Sequence, residues 1–217
     1  MNYSLFNNHD QEFAAASQRG VSIGQQNSIG SAVKGLQYLP DFIAPRLQAR
    51  LLELIDGSPW MDDLKRRVQH YGYRYDYKSR RVDRAQYLGP LPSWCEYYAQ
   101  QFHAAGYFVD APPDQVIVNE YEPGQGIAPH IDCTPCFDDT VISISLGSSC
   151  TMNLSRADDP SITFDQVLMP GSAIILQDEA RFQWRHGIKP VKADIIDGKR
   201  NARQRRVSLT FRKVRLS

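Results

Sequence analysis

His130 and Asp132 stand two residues apart in Pro129-His130-Ile131-Asp132, shortly after Gly124-Gln125-Gly126. In an extended strand, side chains at i and i+2 point to one face. The spacing therefore predicts an imidazole and a carboxylate converging on one point. Farther along, His186 follows Arg181-Phe182-Gln183-Trp184-Arg185. Two imidazoles and one carboxylate make a facial triad that suits non-haem Fe(II) and leaves coordination positions open. An isolated H-x-D often arises by chance, and a lone histidine is more often a hydrogen-bonded structural residue. The strand-like surroundings are what favour a metal here. His9, in the N-terminal stretch, His70, beside a tyrosine cluster, and His103, on a helical pattern, lack that context.

A second constellation lies near the C-terminus. Arg206-Val207-Ser208-Leu209-Thr210-Phe211-Arg212 alternates strictly, so Arg206, Ser208, Thr210 and Arg212 share one strand face and the apolar residues share the other. The polar face is either solvated or, if it lines a barrel, needs anionic partners for two buried guanidinium groups. A small dicarboxylate would serve, because arginine binds carboxylate bidentately. Asn119 and Tyr121 repeat the i, i+2 pattern ahead of the H-x-D, and either offer hydrogen bonds to such a ligand or form an ordinary polar edge.

A third segment, residues 65–84, interleaves lysine and arginine with Tyr71, Tyr73, Tyr75 and Tyr77. Basic groups suit phosphates, and tyrosine faces stack bases at about 1–3 kcal/mol each. The alternative is a hairpin with a charged outer face and tyrosines packed on the core.

The elements that must position these residues are legible in outline. Phe42, Ile43, Leu47, Leu51, Leu52 and Ile55 recur at helical spacing, with Asp41 as a candidate cap and Gly57-Ser58-Pro59 as the stop. A second helix fits Pro92 to Ala105. Beyond Pro113, short apolar runs read as strands at 116–121, 140–146, 150–154, 162–168, 172–176 and 206–214, which suggests a sandwich or barrel. Residues 1–30 are poor in large apolar groups and read as a flexible tail, and 31–217 read as one domain.

With 217 residues, 42% of them hydrophobic, the chain can bury a substantial core. A net charge of +1 excludes a uniformly basic nucleic-acid sponge, so any phosphate attraction must be local. No apolar run approaches the roughly 20 residues of a membrane span. The first residues lack the apolar core of a secretory signal. Four cysteines are too few for a disulfide framework, so the thiols are expected reduced, the C-x-x-C at Cys133 and Cys136 coincidental, and the location cytoplasmic, or nuclear in a eukaryote.

Four ordered motifs carry a resemblance spanning roughly residues 36–215. The run from Asn119 through Tyr121 to His130 and Asp132, the Val141–Gly147 strand, the Arg181–Ile188 segment and Arg206–Arg212 together resemble the AlkB family. Within it, His70-Tyr71-Gly72-Tyr73 is similar to the branch containing the AlkB domain of the tRNA wobble-uridine hydroxylase. The resemblance implies an α+β, mainly β fold. Its core would be a double-stranded β-helix (jelly roll) over about 114–216, with an N-terminal helical support and a nucleotide-recognition lid over about 65–90.

It further implies Fe(II) on His130, Asp132 and His186, with 2-oxoglutarate and O2 as cosubstrates. Asn119, Tyr121, Arg206 and Ser208 would help hold 2-oxoglutarate, with Arg212 making its main salt bridge. Ser208 departs from members that carry asparagine there. Tyr71, Tyr73 and Arg74, with Arg156 after the Met152-Asn153-Leu154 strand, would touch substrate. The implied reaction is oxidative demethylation of N-alkylated bases in single-stranded or locally opened DNA, RNA or tRNA. Hydroxylation of a tRNA wobble nucleoside is the first alternative, and a catalytically silent nucleic-acid-binding jelly roll is the second. Thr134 stands where the archetypal repair enzyme has a second acid, which puts a preference for methyl-adenine or methyl-cytosine in doubt.

Overall fold

The computed structural model describes residues 29–30, 32–62 and 64–216. In chain order these form β1 (Ile29–Gly30), β2 (Leu36–Leu39), α1 (Pro45–Asp56), β3 (Val68–Tyr71), a 3-10 turn (Arg84–Gln86), α2 (Ser93–Ala104), β4 (Gln115–Tyr121), β5 (Ile127–His130) and β6 (Phe137–Gly147). Then follow β7 (Cys150–Arg156), β8 (Thr163–Leu168), β9 (Ala173–Leu176), α3 (Asp178–Phe182), β10 (Trp184–Ile188), β11 (Ala193–Ile196), β12 (Lys199–Ala202) and β13 (Arg206–Val214). The expected tail falls largely outside the described residues, as does His9. Its last two residues, Ile29 and Gly30, pair with β2.

Two antiparallel sheets face one another as a double-stranded β-helix. The larger has the order β1-β2-β9-β6-β13-β4-β3 and the smaller β5-β10-β7-β8. The alternation read in β13 decides the layering. Val207, Leu209 and Phe211 enter a core shared with Val116, Val118, Ile142 and Ile144 and with both long helices. Each such side chain contributes about 1.5–3 kcal/mol by leaving water. The opposite face of β13 turns toward the smaller sheet. Leu47, Leu51 and Ile55 form the buried stripe of α1, and Trp94, Tyr98 and Phe102 that of α2.

Asp41 does not cap α1. It lies in a turn at φ 51°, and the helix opens at Pro45 behind Ala44, with no side-chain cap. Proline's fixed φ is already helical and its missing N–H is no loss at that position. The Ile43 N–H meanwhile donates to the Gly171 carbonyl (2.8 Å), which ties the approach segment to the sheet. The predicted strands all exist: β13 has its predicted bounds, β6 begins three residues earlier than expected, and the others differ by one or two residues at one end. The short strands β3, β5 and β10 were not legible from the sequence. No helix among the described residues is long and apolar enough to cross a membrane.

Candidate metal and cosubstrate centre

The three expected metal-binding side chains meet. One ligand atom from each of His130, Asp132 and His186 lies within 4.8 Å of the others. Their convergence has a different origin from simple strand alternation. His130 is the last residue of β5 and Asp132 lies beyond the strand end. What aligns the histidines is pairing across strands: His186 of β10 sits directly opposite His130, with ring centroids 4.5 Å apart. Such a register needs close strand contact. At Gly187 an added Cβ would meet the Ile127 carbonyl oxygen at 2.9 Å, and at Gly126 the Ile188 carbonyl oxygen at 2.2 Å.

The protonation states suit a cation. His130 Nδ1 lies 2.9 Å from the Ala128 carbonyl oxygen, which can only accept, so Nδ1 carries hydrogen and Nε2 is left for a metal. Burial, reinforced by His130, pushes the His186 imidazole down to about 3, leaving it neutral. Burial alone would raise the Asp132 carboxyl. Arg212, the two histidines and Arg181 outweigh it and hold the group well below the usual carboxylate range. Its Oδ2 is buried without a hydrogen-bond partner. A buried, ionised, under-satisfied oxygen beside two imidazole nitrogens fits a divalent cation.

One arginine holds the carboxylate and another, which sequence reasoning had not singled out, holds the backbone beside it. Arg212 Nη2 pairs with Asp132 Oδ1 at 2.7 Å. Arg181, on the short helix α3 and 2% exposed, donates from Nη1 to the Asp132 carbonyl (3.0 Å) and from Nε to the Asp138 carbonyl (3.2 Å). It clamps the backbone of the loop that carries the ligand. Its position before Phe182 and Trp184 gives no local hint of this, because its partners are 43–49 residues earlier in the chain.

A cavity of about 510 Å³ opens beside the triad. Asn119, Tyr121, Arg206, Ser208 and Arg212 all line it, and the register explains why. Asn119 pairs with Ser208, and Tyr121 with Arg206, on adjacent strands. Arg206 donates to Ser145 Oγ (2.8 Å), while its Nε and Nη1, and Nε of Arg212, are buried without partners. Orphaned guanidinium N–H groups on a cavity wall fit a carboxylate-bearing ligand. Arg206, 5.4 Å over the Tyr121 ring, stands apart from Asp132, whereas Arg212 is already engaged by it. Burial raises the Tyr121 phenol, so it stays a neutral donor.

The four expected substrate contacts do not line this cavity. Tyr71 packs edge-on against Trp94 with its hydroxyl on Gln69, because β3 has joined the large sheet. Tyr73 pairs with Tyr87. Arg74 is exposed elsewhere on this segment. Arg156 is held by Asp158 (2.9 Å) and faces Glu179 (3.8 Å). Tyr75, Tyr77, Lys65, Arg66 and Arg80 line the cavity instead. Residues 65–84 thus reach the cavity wall, but through members other than those expected. Near the C-terminus, Arg203 is buried on Asp194 (2.6 Å), and Arg205 bridges Glu120 and Asp56. Cys133 and Cys136, expected as unrelated thiols, are joined by a disulfide, while Cys95 and Cys150 are free and buried.

Comparison with known proteins agrees with this chemistry. The 2OG-Fe(II) oxygenase superfamily model matches residues 35–212. The chain is 35% identical over 185 residues to "Uncharacterized protein L905" of Acanthamoeba polyphaga mimivirus, covering 84% of this chain and 86% of that one. It is 36% identical to "Alkylated DNA repair protein ALKBH8 homolog" of Arabidopsis thaliana, with 84% of this chain and 59% of that one covered. It is 35% identical to "tRNA (carboxymethyluridine(34)-5-O)-methyltransferase alkbh8" of Xenopus tropicalis, where it spans 84% of its own length but 32% of the relative's. The solved structure of OsALKBH1 superimposes with a TM-score of 0.63 at 20% identity, covering 86% of this chain and all of that one, a likeness of fold. A triad of the right donors beside an arginine-walled cavity, on this fold and with these relatives, has one reading: the chain belongs to the AlkB family of 2OG-Fe(II) oxygenases and is a dioxygenase that uses Fe(II), 2-oxoglutarate and O2.

Proposed function

We propose that the protein oxidatively removes N-alkyl groups from neutral bases of a nucleic acid, with the target base entering the cavity past Tyr75 and Tyr77. The observation that carries this reading is the lining of that cavity, which holds the triad together with two tyrosines and Lys65, Arg66 and Arg80. The aromatic faces suit a base and the cations suit the flanking phosphates. When bound, Fe(II) with 2-oxoglutarate would supply an oxidant for an unactivated C–H bond. His130, Asp132 and His186 would hold the metal, and Arg206 and Arg212 with Asn119, Tyr121 and Ser208 would orient the dicarboxylate. The chain's own task is then to aim one C–H bond and keep water away.

Charge narrows the substrate. Lysine and arginine supply five cavity-lining cations, and Asp132 is the one acid among the described lining residues. Thr134 is exposed and lies off the cavity. A cationic alkylated base would find no carboxylate to pair with, whereas a neutral base is tolerated. The same cations favour a second reading, hydroxylation of an anionic side chain on a tRNA wobble nucleoside, and the name of the Xenopus relative points the same way.

Mass spectrometry of products separates the two. Protein with Fe(II), ascorbate and 2-oxoglutarate is offered methylated DNA, methylated RNA and bulk tRNA. Loss of 14 mass units per methyl with formaldehyde release supports dealkylation. A gain of 16 on a tRNA nucleoside supports hydroxylation. Succinate formation that no nucleic acid stimulates would refute both.

A further inference from the structure

We propose that Cys133 and Cys136 form a reversible dithiol–disulfide site for low-molecular-weight disulfides, and that its oxidation state sets how firmly the turn 76–81 is held against the metal loop. Cys133 directly follows the carboxylate ligand and lines the cavity, whereas Cys136 is 5% exposed. The two sulfurs are bonded to each other, and each lies 3.4 Å from one acceptor, the carbonyl oxygen of Arg80. Arg80 belongs to a turn in which the Asp76 carboxylate accepts from the Lys78 and Ser79 N–H groups, and the Arg80 N–H donates to the Asp76 carbonyl (2.8 Å). The same turn region brings Tyr75 and Val82 into an apolar cluster with Cys133, Cys136 and Phe137.

The physical consequence follows from where hydrogen sits. Two thiols each carry an S–H that can donate to the Arg80 carbonyl. The disulfide carries none and leaves that carbonyl facing two acceptor-poor, donorless atoms. On the other side, Arg181 grips the carbonyls of Asp132 and Asp138 through bonds that involve neither sulfur. The metal loop is therefore the fixed partner and the Arg80 turn the one released on oxidation. Because Tyr75, Tyr77 and Arg80 line the cavity, the redox state reaches the substrate side without altering a metal ligand.

The exchange balances as follows. The Cys133 thiolate, the more accessible of the two, attacks one sulfur of a disulfide RSSR. It forms a mixed disulfide and expels RS⁻, which takes up the proton Cys133 lost. The Cys136 thiolate then attacks Cys133 Sγ, forming the internal bond and expelling the second RS⁻, which takes up the proton from Cys136. The dithiol loses two electrons and two protons, and RSSR becomes two RSH.

Full-length protein reduced with dithiothreitol and freed of it is split, and one half is treated with oxidised glutathione. Native alkylation with iodoacetamide is read by peptide mass, and amide hydrogen exchange is followed over residues 75–82. The expected result is labelling at 133 in the reduced half and its loss after glutathione disulfide, with a 133–136 linked peptide. Exchange over 75–82 should be about five- to thirtyfold slower in the reduced half, the range two weak S–H···O contacts allow. Cys133→Ser with Cys136→Ser, whose hydroxyls retain donors, should match the reduced rate and ignore glutathione disulfide. Failure of the 133–136 bond to form would overturn the site. Equal exchange of 75–82 in the two halves would overturn the coupling. Neither readout depends on turnover.

Discussion

Replacing Arg181 with methionine tests whether the metal loop is held from beneath. Methionine keeps an unbranched apolar stem but is shorter than arginine and donates nothing. Two well-formed bonds from the charged donor would be lost, to the carbonyls of Asp132 and Asp138. Bonds of that kind are worth about 1.5–3 kcal/mol each, which sets a ceiling of about 3–6 kcal/mol. Part of this returns, because burying a guanidinium is itself unfavourable, and burial lowers the Arg181 pKa for that reason. A net loss of stability of about 2–4 kcal/mol is expected. The metal site should suffer separately. Arg181 touches no ligand atom but fixes the backbone that presents one, and losses of outer-sphere support typically weaken metal binding about 10–100-fold. Urea unfolding of the metal-free variant measures the first effect. Calorimetric titration with Mn(II), a redox-stable stand-in for Fe(II), measures the second. A folded variant that binds Mn(II) within about twofold of wild type would refute the reasoning, since the loop would then keep its shape without the clamp.

Other expectations follow from the same geometry. Asp132→Ala should abolish Mn(II) binding and succinate formation while circular dichroism stays native; normal succinate output would remove Asp132 from the metal site. Arg206→Met should raise the 2-oxoglutarate requirement by about 10–100-fold with a smaller change in kcat, as expected for one charged hydrogen-bond partner; an unchanged KM would place the dicarboxylate elsewhere. In Gly126→Ala a Cβ would lie 2.2 Å from the Ile188 carbonyl oxygen, so β5 must move from β10. This should destabilise the protein by at least about 1–3 kcal/mol and weaken metal binding, and native melting behaviour would argue against that close approach. Burial opposes ionisation of Asp194, but Arg203 prevails and holds its carboxyl below the ordinary 3.8. Its contribution is therefore complete above that value and lost as pH falls through the lower folded value. Asp194→Asn should reduce stability at neutral pH, and its deficit against wild type should shrink on acidification below pH 3.8; a deficit that persisted unchanged there would sink the assignment.

Chemistry bound to backbone alternation was legible in the linear chain. The period of two in β13 separated Arg206, Ser208, Thr210 and Arg212 from Val207, Leu209 and Phe211, because a pleated strand cannot place neighbours on one face. The donor types at 130, 132 and 186 likewise named the metal chemistry before any fold was known. Other features depended on contacts remote in sequence. Tyr71 became core and Tyr75 became cavity wall because β3 added to the edge of the large sheet, a pairing of residues 45–51 apart in the chain and written in no local pattern. Arg181 acquired its role only when α3 packed under a loop more than 40 residues earlier. The bond between Cys133 and Cys136 and their shared neighbour Arg80 also required the turn 76–81 to fold over them. Residue type and period set what each side chain can do, but which partners it meets is settled by strand register and the packing of distant segments, which no local window contains.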